Sequence, residues 1–371
     1  MPRWIPALAL AALLGCGHRS GAPAAPPRPP EGGSFAIATV ASGLAQPTAM
    51  ALAPDGRVLV CEQGGRLRVV KGGVLLAAPF LTLPVDASGE RGLIGVAVDP
   101  AFAANGFVYV HYTATVPTRH NRISRFTASG DLALPGSEVV LLDLDDLGSA
   151  TNHNGGALHF GPDGKLYAGV GENANGSHAQ SLANLLGKLL RLNPDGSVPT
   201  DNPLLAQTSG KNQLIWALGL RNPFTFAFQP GTGRLFINDV GQSTWEEVNE
   251  GQAGANYGWP ATEGPTANPA YAAPLYAYPH SGGAVTGCSI VGAAFYDPAT
   301  PTFPAAFRHK YLFMDFCGGW IRTLDPATGA VADWLTGFSS PVDLRVAEDG
   351  SVLVLCRGGG GLLQRVTYAV P

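Results

Sequence analysis

One short unit constrains the fold of this chain more than any other feature: an apolar strand, a tight turn of Asp-Gly type and a second apolar strand. It reads Met50-Ala51-Leu52-Ala53-Pro54-Asp55-Gly56-Arg57-Val58-Leu59-Val60 in one copy. Another reads Leu344-Arg345-Val346-Ala347-Glu348-Asp349-Gly350-Ser351-Val352-Leu353-Val354. Between them lie His159 to Tyr167, Phe226 to Ile237 and a degenerate copy from Ile94 to Val110. Glycine in the turn supplies the positive φ that a tight hairpin needs. Neighbouring copies are about 45 to 70 residues apart, with room for one more between Val291 and Leu324, a spacing that suits propeller blades. A lone hairpin cannot bury its faces, so the copies must stack around an axis. The expectation is an all-β, six-bladed β-propeller. Charged residues make up only 13%, while Gly and Pro number 49 and 31, which favours turns and short strands over surface helices.

The first residues set the expected compartment. Arg3 followed by an apolar stretch from Ile5 to Leu14, too short to span a bilayer, reads as a signal peptide over residues 1–15. It ends Leu13-Leu14-Gly15-Cys16, a lipobox pattern, so Cys16 is the expected lipidation site. Residues 16–33, rich in Ala and Pro, cannot bury a core and read as a tether, leaving 34–371 for the propeller. The implied location is the periplasmic or cell-surface face of a bacterial membrane, reached through a lipid anchor alone. There the four remaining cysteines form an even set in an oxidising place. Cys288 and Cys317 flank one expected blade and could staple it. Cys61 and Cys356 hold matching places in the first and last blades, where ring closure could pair them or leave them as buried thiols. A net charge of −4 provides no basic footprint for nucleic acid.

Three stretches carry chemistry. Thr151-Asn152-His153-Asn154-Gly155-Gly156 sets an imidazole, suited to proton abstraction near neutrality, among glycines that let a planar ligand approach the backbone. The same histidine would serve as well to pack or cap a loop. Leu218-Gly219-Leu220-Arg221-Asn222-Pro223-Phe224 puts a guanidinium and an amide beside a proline-fixed turn. Such a cation suits a carboxylate, a developing oxyanion or a rim salt bridge. Asn238 to Asn249, with Ala255-Asn256-Tyr257-Gly258-Trp259-Pro260, gathers carboxylates, a glycine turn and backbone carbonyls. That set fits a hard cation such as Ca²⁺, or solvated charge beside a packed Trp-Pro turn.

Taken in order, several motifs resemble the pyrroloquinoline quinone (PQQ)-dependent soluble sugar dehydrogenases, the glucose/sorbosone dehydrogenase family. They are Gly92-Leu93-Ile94-Gly95, His153-Asn154-Gly155-Gly156, Leu185-Leu186-Gly187-Lys188, Gly219-Leu220-Arg221-Asn222-Pro223, Asn256-Tyr257-Gly258-Trp259-Pro260 and Asp315-Phe316-Cys317-Gly318-Gly319. The resemblance covers nearly all of the chain after the tether and implies a six-bladed propeller. It implies His153 as the general base that takes the hydroxyl proton from sugar C1 as hydride moves to the quinone. Arg221 and Asn222 match the pair that contacts the quinone. Gly241 and Gln242 match backbone carbonyls that hold a cofactor-associated Ca²⁺, which polarises the quinone. Glu247, by its side chain, and Tyr257, by its carbonyl, match a second, structural Ca²⁺ site. Glu90 stands where relatives have a glutamine that contacts sugar, and Asn152 where they have an aspartate beside the base. Both are therefore expected to bear on substrate recognition.

One departure stands out. Relatives clamp the three PQQ carboxylates with a lysine and two arginines, and here Cys317, Ser340 and Val342 occupy those places. Arg357, leading into Gly358 to Gly361, is the expected substitute, with Arg322, Arg345 and the Arg308-His309-Lys310 cluster as others. The Asp315-Phe316-Cys317 version resembles the branch that includes sorbosone-dehydrogenase-like proteins and hedgehog-interacting protein. The expected function is PQQ- and Ca²⁺-dependent oxidation of an aldose or related sugar hydroxyl. Two other readings stand beside it: a non-catalytic, calcium-stabilised propeller that binds sugar or a protein partner, and a calcium-dependent lactone or ester hydrolase in which His153 activates water.

Overall fold

The computed structural model describes residues 33–370, which form six antiparallel sheets. The signal peptide, Cys16 and the tether up to residue 32 lie outside the described residues. The first blade is Pro47–Leu52, Val58–Glu62, Arg66–Lys71 and Val74–Leu75. The second is Leu93–Val98, Phe107–Ala114, His120–Ser129 and Leu132–Ala133, with Val139–Asp146 also on its third strand. The third is Leu158–Phe160, Leu166–Val170, Lys188–Leu192 and Ile215–Leu218, and the fourth Pro223–Phe228, Leu235–Asp239, Trp245–Gly251 and Tyr276–Pro279. The fifth is Ile290–Phe295, Tyr311–Asp315, Trp320–Leu324 and Val331–Thr336. The sixth is Pro341–Val346, Val352–Cys356 and Leu362–Ala369, completed by Ser34–Ser42. Each copy of the repeated unit supplies the first two strands of a blade, and the copy sought between Val291 and Leu324 is the fifth. The expected propeller is the observed fold.

Closure joins distant parts of the chain. Ser34–Ser42 runs antiparallel to Leu362–Ala369, from Ser34 opposite Ala369 to Ser42 opposite Leu362. On the first strands, Asp343 Oδ2 accepts the Met50 amide at 2.9 Å and Arg345 Nε donates to the Met50 carbonyl at 3.1 Å. Between blades, apolar faces meet: Leu59, Leu67 and Val69 of the first pack with Val96, Val108 and Val110 of the second. Each such side chain contributes about 1.5–3 kcal/mol when fully buried, so face packing dominates the joining of blades.

The hairpin turns, such as Asp55-Gly56 and Asp349-Gly350, lie at one end of the propeller. Segments entering first strands and leaving second strands lie at the other. At that second end, a Cβ on Gly95 would stand 1.9 Å from the Gly156 carbonyl oxygen, so only glycine lets the second blade touch the loop of His153. His111 Nδ1 meets the same carbonyl at 3.2 Å. A carbonyl only accepts, so Nδ1 carries the proton, and the buried Nε2 has no partner.

Cys288 and Cys317 form a disulfide between the entry to the fifth blade and the turn after its second strand. Cys61 and Cys356 are free, buried thiols. They pack in separate clusters, one between the first two blades and one between the last two, so ring closure does not pair them.

Burial pushes His111 down to about 4 from an ordinary value near 6.5, and burial pushes His159 well below its usual range. As pH falls below about 6.5 the unfolded chain takes up protons that these folded rings refuse, so stability drops toward pH 4. Each proton adds a slope of up to about 1.4 kcal/mol per pH unit. Denaturant titrations at pH 7, 5.5 and 4.5 should show this loss, and His111→Gln should flatten the slope by one proton.

Candidate functional site

At the loop end of the axis opens a cavity of about 460 Å³, with walls drawn from every blade: Thr48, Ile94, His153, Asn222, Val291 and Val342. His153 adopts φ 57, a left-handed conformation uncommon outside glycine. Two bonds hold it there. Glu90 Oε2 accepts the His153 amide at 2.8 Å, and the Asn173 amide donates to the His153 carbonyl at 3.0 Å. The ring is pinned as well, because Nδ1 lies 2.7 Å from Oε1 of Glu172, a buried residue whose other oxygen accepts the Asn175 amide. On the far side, Nε2 meets Arg221 Nη2 at 2.8 Å and Asn152 Nδ2 at 2.9 Å. A guanidinium can only donate, so Nε2 carries the lone pair and Nδ1 gives its proton to Glu172. This tautomer leaves Nε2 as the ring nitrogen that can accept a proton.

Arg221 is fixed from several directions. Its Nη1 donates to the carbonyls of Val240 at 2.9 Å and Gly241 at 2.6 Å, and its Cζ lies 5.4 Å from the Trp259 ring centroid. Its buried Nε has no protein partner. The amides of Arg221 and Asn222 donate to the two oxygens of Asp239 at 2.9 and 2.7 Å, and Asn222 Oδ1 accepts the Gly155 amide at 2.9 Å. Burial pushes the Asp239 carboxyl up to about 6, although those two amides and the Arg221 charge pull it down.

Of the cations considered for the lost clamp, Arg357 lines this cavity, whereas Arg308, His309, Lys310, Arg322 and Arg345 do not. Arg322 and Arg345 are paired with Asp333 and Asp343, and Lys310 with Asp325. Arg357 Nη2 donates to the side-chain oxygens of Gln46 and Gln63, and burial lowers its pKa. Val342 forms apolar wall, Cys317 is locked in the disulfide, and the Ser340 carbonyl accepts the Arg357 amide at 2.9 Å.

The expected cation positions differ in character. Gly241 and Gln242 line the main cavity, but the Gly241 carbonyl already accepts Arg221, so a cation at that oxygen would have to displace the guanidinium. The amides of Gln242, Ser243, Thr244 and Trp245 all converge on Glu263 Oε1 at 2.9–3.1 Å. A smaller space behind Arg221 is lined by Asp239, Glu247, Tyr257 and Glu263. Burial pushes Glu247 up to about 7, with the nearby Asp239 charge adding to it. These carboxylates share one small space, in which Glu247 Oε1 and Oε2 already accept the Gly264 amide and Asn249 Nδ2 at 2.5 and 2.9 Å, so a hard cation there would compete with both donors. The Tyr257 hydroxyl is taken up by the Glu250 carbonyl at 2.7 Å.

Glu90, expected at the sugar, spends one oxygen on the His153 amide while lining the cavity. Asn152, also expected at the substrate, contacts the base. Sequence reasoning missed Glu172, Gln63 and the role of Asp239. A signal was present in the repeat register: the residue or two after a second strand reach the site in five blades, as Gln63, Glu172, Gly241, Phe316 and Arg357.

Such a molecule is a six-bladed propeller whose cavity at the loop end of the axis carries a tautomer-fixed imidazole backed by a carboxylate and faced by a guanidinium. The Glucose / Sorbosone dehydrogenase family model matches residues 44–364, and the chain belongs to that family. It is 36% identical over 227 residues to aldose sugar dehydrogenase YliI of Escherichia coli, covering 58% of this chain and 59% of that protein. It is 30% identical over 222 residues to human (Homo sapiens) hedgehog-interacting protein, covering 51% of this chain and 31% of the relative. The PQQ-bound form of aldose sugar dehydrogenase from Streptomyces coelicolor superimposes with a TM-score of 0.77 at 26% identity, covering 92% of this chain and all of that one.

Glu247→Ala should lower the melting temperature in calcium-containing buffer and leave it unchanged in chelator, because a ligand stabilises only the state that binds it. Differential scanning calorimetry in both buffers checks this; an equal loss in both would remove the cation from that site.

Proposed function

We propose that this protein oxidises an aldose or related sugar hydroxyl, with PQQ as acceptor and His153 as general base. The convergence of His153 Nε2, Arg221 and Asn222 on one cavity carries the reading. The residues fit an anionic planar cofactor: Arg221 and Arg357 line the cavity, and neither guanidinium is paired with a carboxylate among the described residues. Arg221 and Asn222 would hold the quinone end, and Arg357 one carboxylate in place of the three-cation clamp. When bound, the quinone supplies the two-electron acceptor for the substrate hydride. The chain supplies the proton chemistry. His153 Nε2 takes the hydroxyl proton, and Glu172 stabilises the resulting imidazolium through Nδ1–H. Ile94, Phe224, Val291 and Phe316 present apolar wall that keeps water from the reacting atoms.

Calcium belongs to the proposal at two places: the Gly241 and Gln242 carbonyls beside the cofactor, where the Gly241 oxygen opens to a cation only once Arg221 leaves it for the cofactor, and the Glu247–Tyr257 site behind Arg221. Lipidation at Cys16 would hold the enzyme at the periplasmic or cell-surface face of a bacterial membrane, where electrons could pass to a membrane carrier. A second reading, a propeller that binds a protein partner, draws support from the disulfide standing where the clamp would be and from the likeness to hedgehog-interacting protein.

Titration of calcium-loaded protein with PQQ, followed by heat and quinone absorbance and then by aldoses, tests the reading. Calcium-dependent binding with sugar-driven bleaching is the expected result; absence of binding at high micromolar PQQ would favour the partner-binding propeller. His153→Ala should fold normally and lose turnover on the order of 10³-fold. Arg357→Ala should weaken PQQ binding about tenfold to a hundredfold, the range for a lost hydrogen bond between charged groups.

A further inference from the structure

The lone pair that makes His153 a base is already taken. Nε2 accepts from Arg221 Nη2 at 2.8 Å and from Asn152 Nδ2 at 2.9 Å in a buried setting. The ring cannot turn away, because Nδ1 is tied to Glu172 and the backbone is pinned by Glu90 and Asn173. The two donors must therefore yield before a proton can arrive. They differ in what they can do next. Arg221 has no acceptor atom and keeps its charge, so it opposes an imidazolium whose Nε2–H points at it. Asn152 carries both a donor and an acceptor on one amide, and a half-turn of its last torsion exchanges Nδ2 for Oδ1 at the same place. No hydrogen bond to Oδ1 holds it in its present sense among the described residues. Its backbone is anchored separately, its carbonyl accepting from Asn173 Nδ2 at 3.5 Å.

We propose that Asn152 is a positioning residue that follows the protonation of His153, covering Nε2 as a donor before reaction and accepting Nε2–H after it, while ligand oxygens draw Arg221 away. The inference rests on the dehydrogenase reading. In the step, the substrate O–H proton moves to Nε2 as hydride leaves carbon for the bound acceptor; Nε2–H is then donated to Asn152 Oδ1. An aspartate here would only accept and would favour the charged ring from the outset. An alanine would leave Arg221 as the sole cover.

The test is ¹⁵N spectroscopy of the ring nitrogens in histidine-labelled, quinone-free protein, with His153 assigned by its loss in His153→Gln. In Asn152→Ala, Nε2 should move toward the frequency of an unbonded lone pair. In Asn152→Asp, the ring should show two protonated nitrogens at a pH where wild type shows one. An unchanged Nε2 in Asn152→Ala, or a wild-type ring in Asn152→Asp, would overturn the proposal. These arms need no PQQ, so they stand apart from failure of the dehydrogenase reading. In PQQ-loaded enzyme, Asn152→Ala should lower kcat at least fivefold with unchanged PQQ affinity. Weaker PQQ binding with unchanged kcat would overturn it.

Discussion

Closure of the ring is the constraint on which the rest depends. The eight-residue register between Ser34–Ser42 and Leu362–Ala369 ties the two ends of the described chain into one sheet, and Asp343 and Arg345 clasp Met50 across the same seam. An open array of blades would leave an apolar face exposed at each end. A closed one buries all of them and brings six first strands to a common axis. The cavity exists only because of that convergence: no blade contributes enough wall to enclose a ligand, and Thr48 meets Val342 only after the ring is shut.

Within the ring, a recurring device makes the loop end rigid. At the end of a second strand stands a buried carboxylate that accepts amides of the segment entering the first strand of the same blade. Glu62 takes the Ala45 amide, and Asp239 takes those of Arg221 and Asn222. Asp315 takes those of Cys288 and Ser289, and also Cys317 and Gly318. Burying these groups is costly, as the upward push on Asp239 shows, and the converging N–H groups offset part of that cost. In the fourth blade the result is a fixed guanidinium; in the fifth it is a fixed disulfide. Preorganised polar groups of this kind do not have to reorganise when charge develops, which is where enzymes gain most of their electrostatic advantage.

The third blade departs from the pattern in an informative way. Its second strand ends at Val170, and the acid comes two residues later as Glu172, with one oxygen on the His153 imidazole and the other on the Asn175 amide just after it, instead of on amides entering the first strand. Glu90 and Asn173 then hold His153 in a conformation that costs backbone energy, so the loop of His153 is the least self-sufficient part of the site.

Much of this was legible in the chain. The Asp-Gly hairpins and their spacing predicted the number of blades, because turn chemistry and strand alternation are local properties. The motifs around His153, Arg221 and Asn222 marked the cavity, and Arg357 was singled out by the absence of the usual cations. Glu172 and Gln63 were not read as site residues, and Asp239 was read only as one carboxylate of a cation-binding stretch, since an acid or amide after a strand looks the same whether it meets solvent or a buried partner. The Cys288–Cys317 staple was expected and is present, whereas the fate of Cys61 and Cys356 was undecided, because bonding depends on distance and not on matching places in a repeat. The sequence by itself determined the blades, their order and which loops carry polar chemistry. Only the tertiary structure decided which nitrogen of His153 holds the proton and which arginine faces the cavity. Both follow from contacts between residues far apart in the chain, set by how the closed ring aligns its blades.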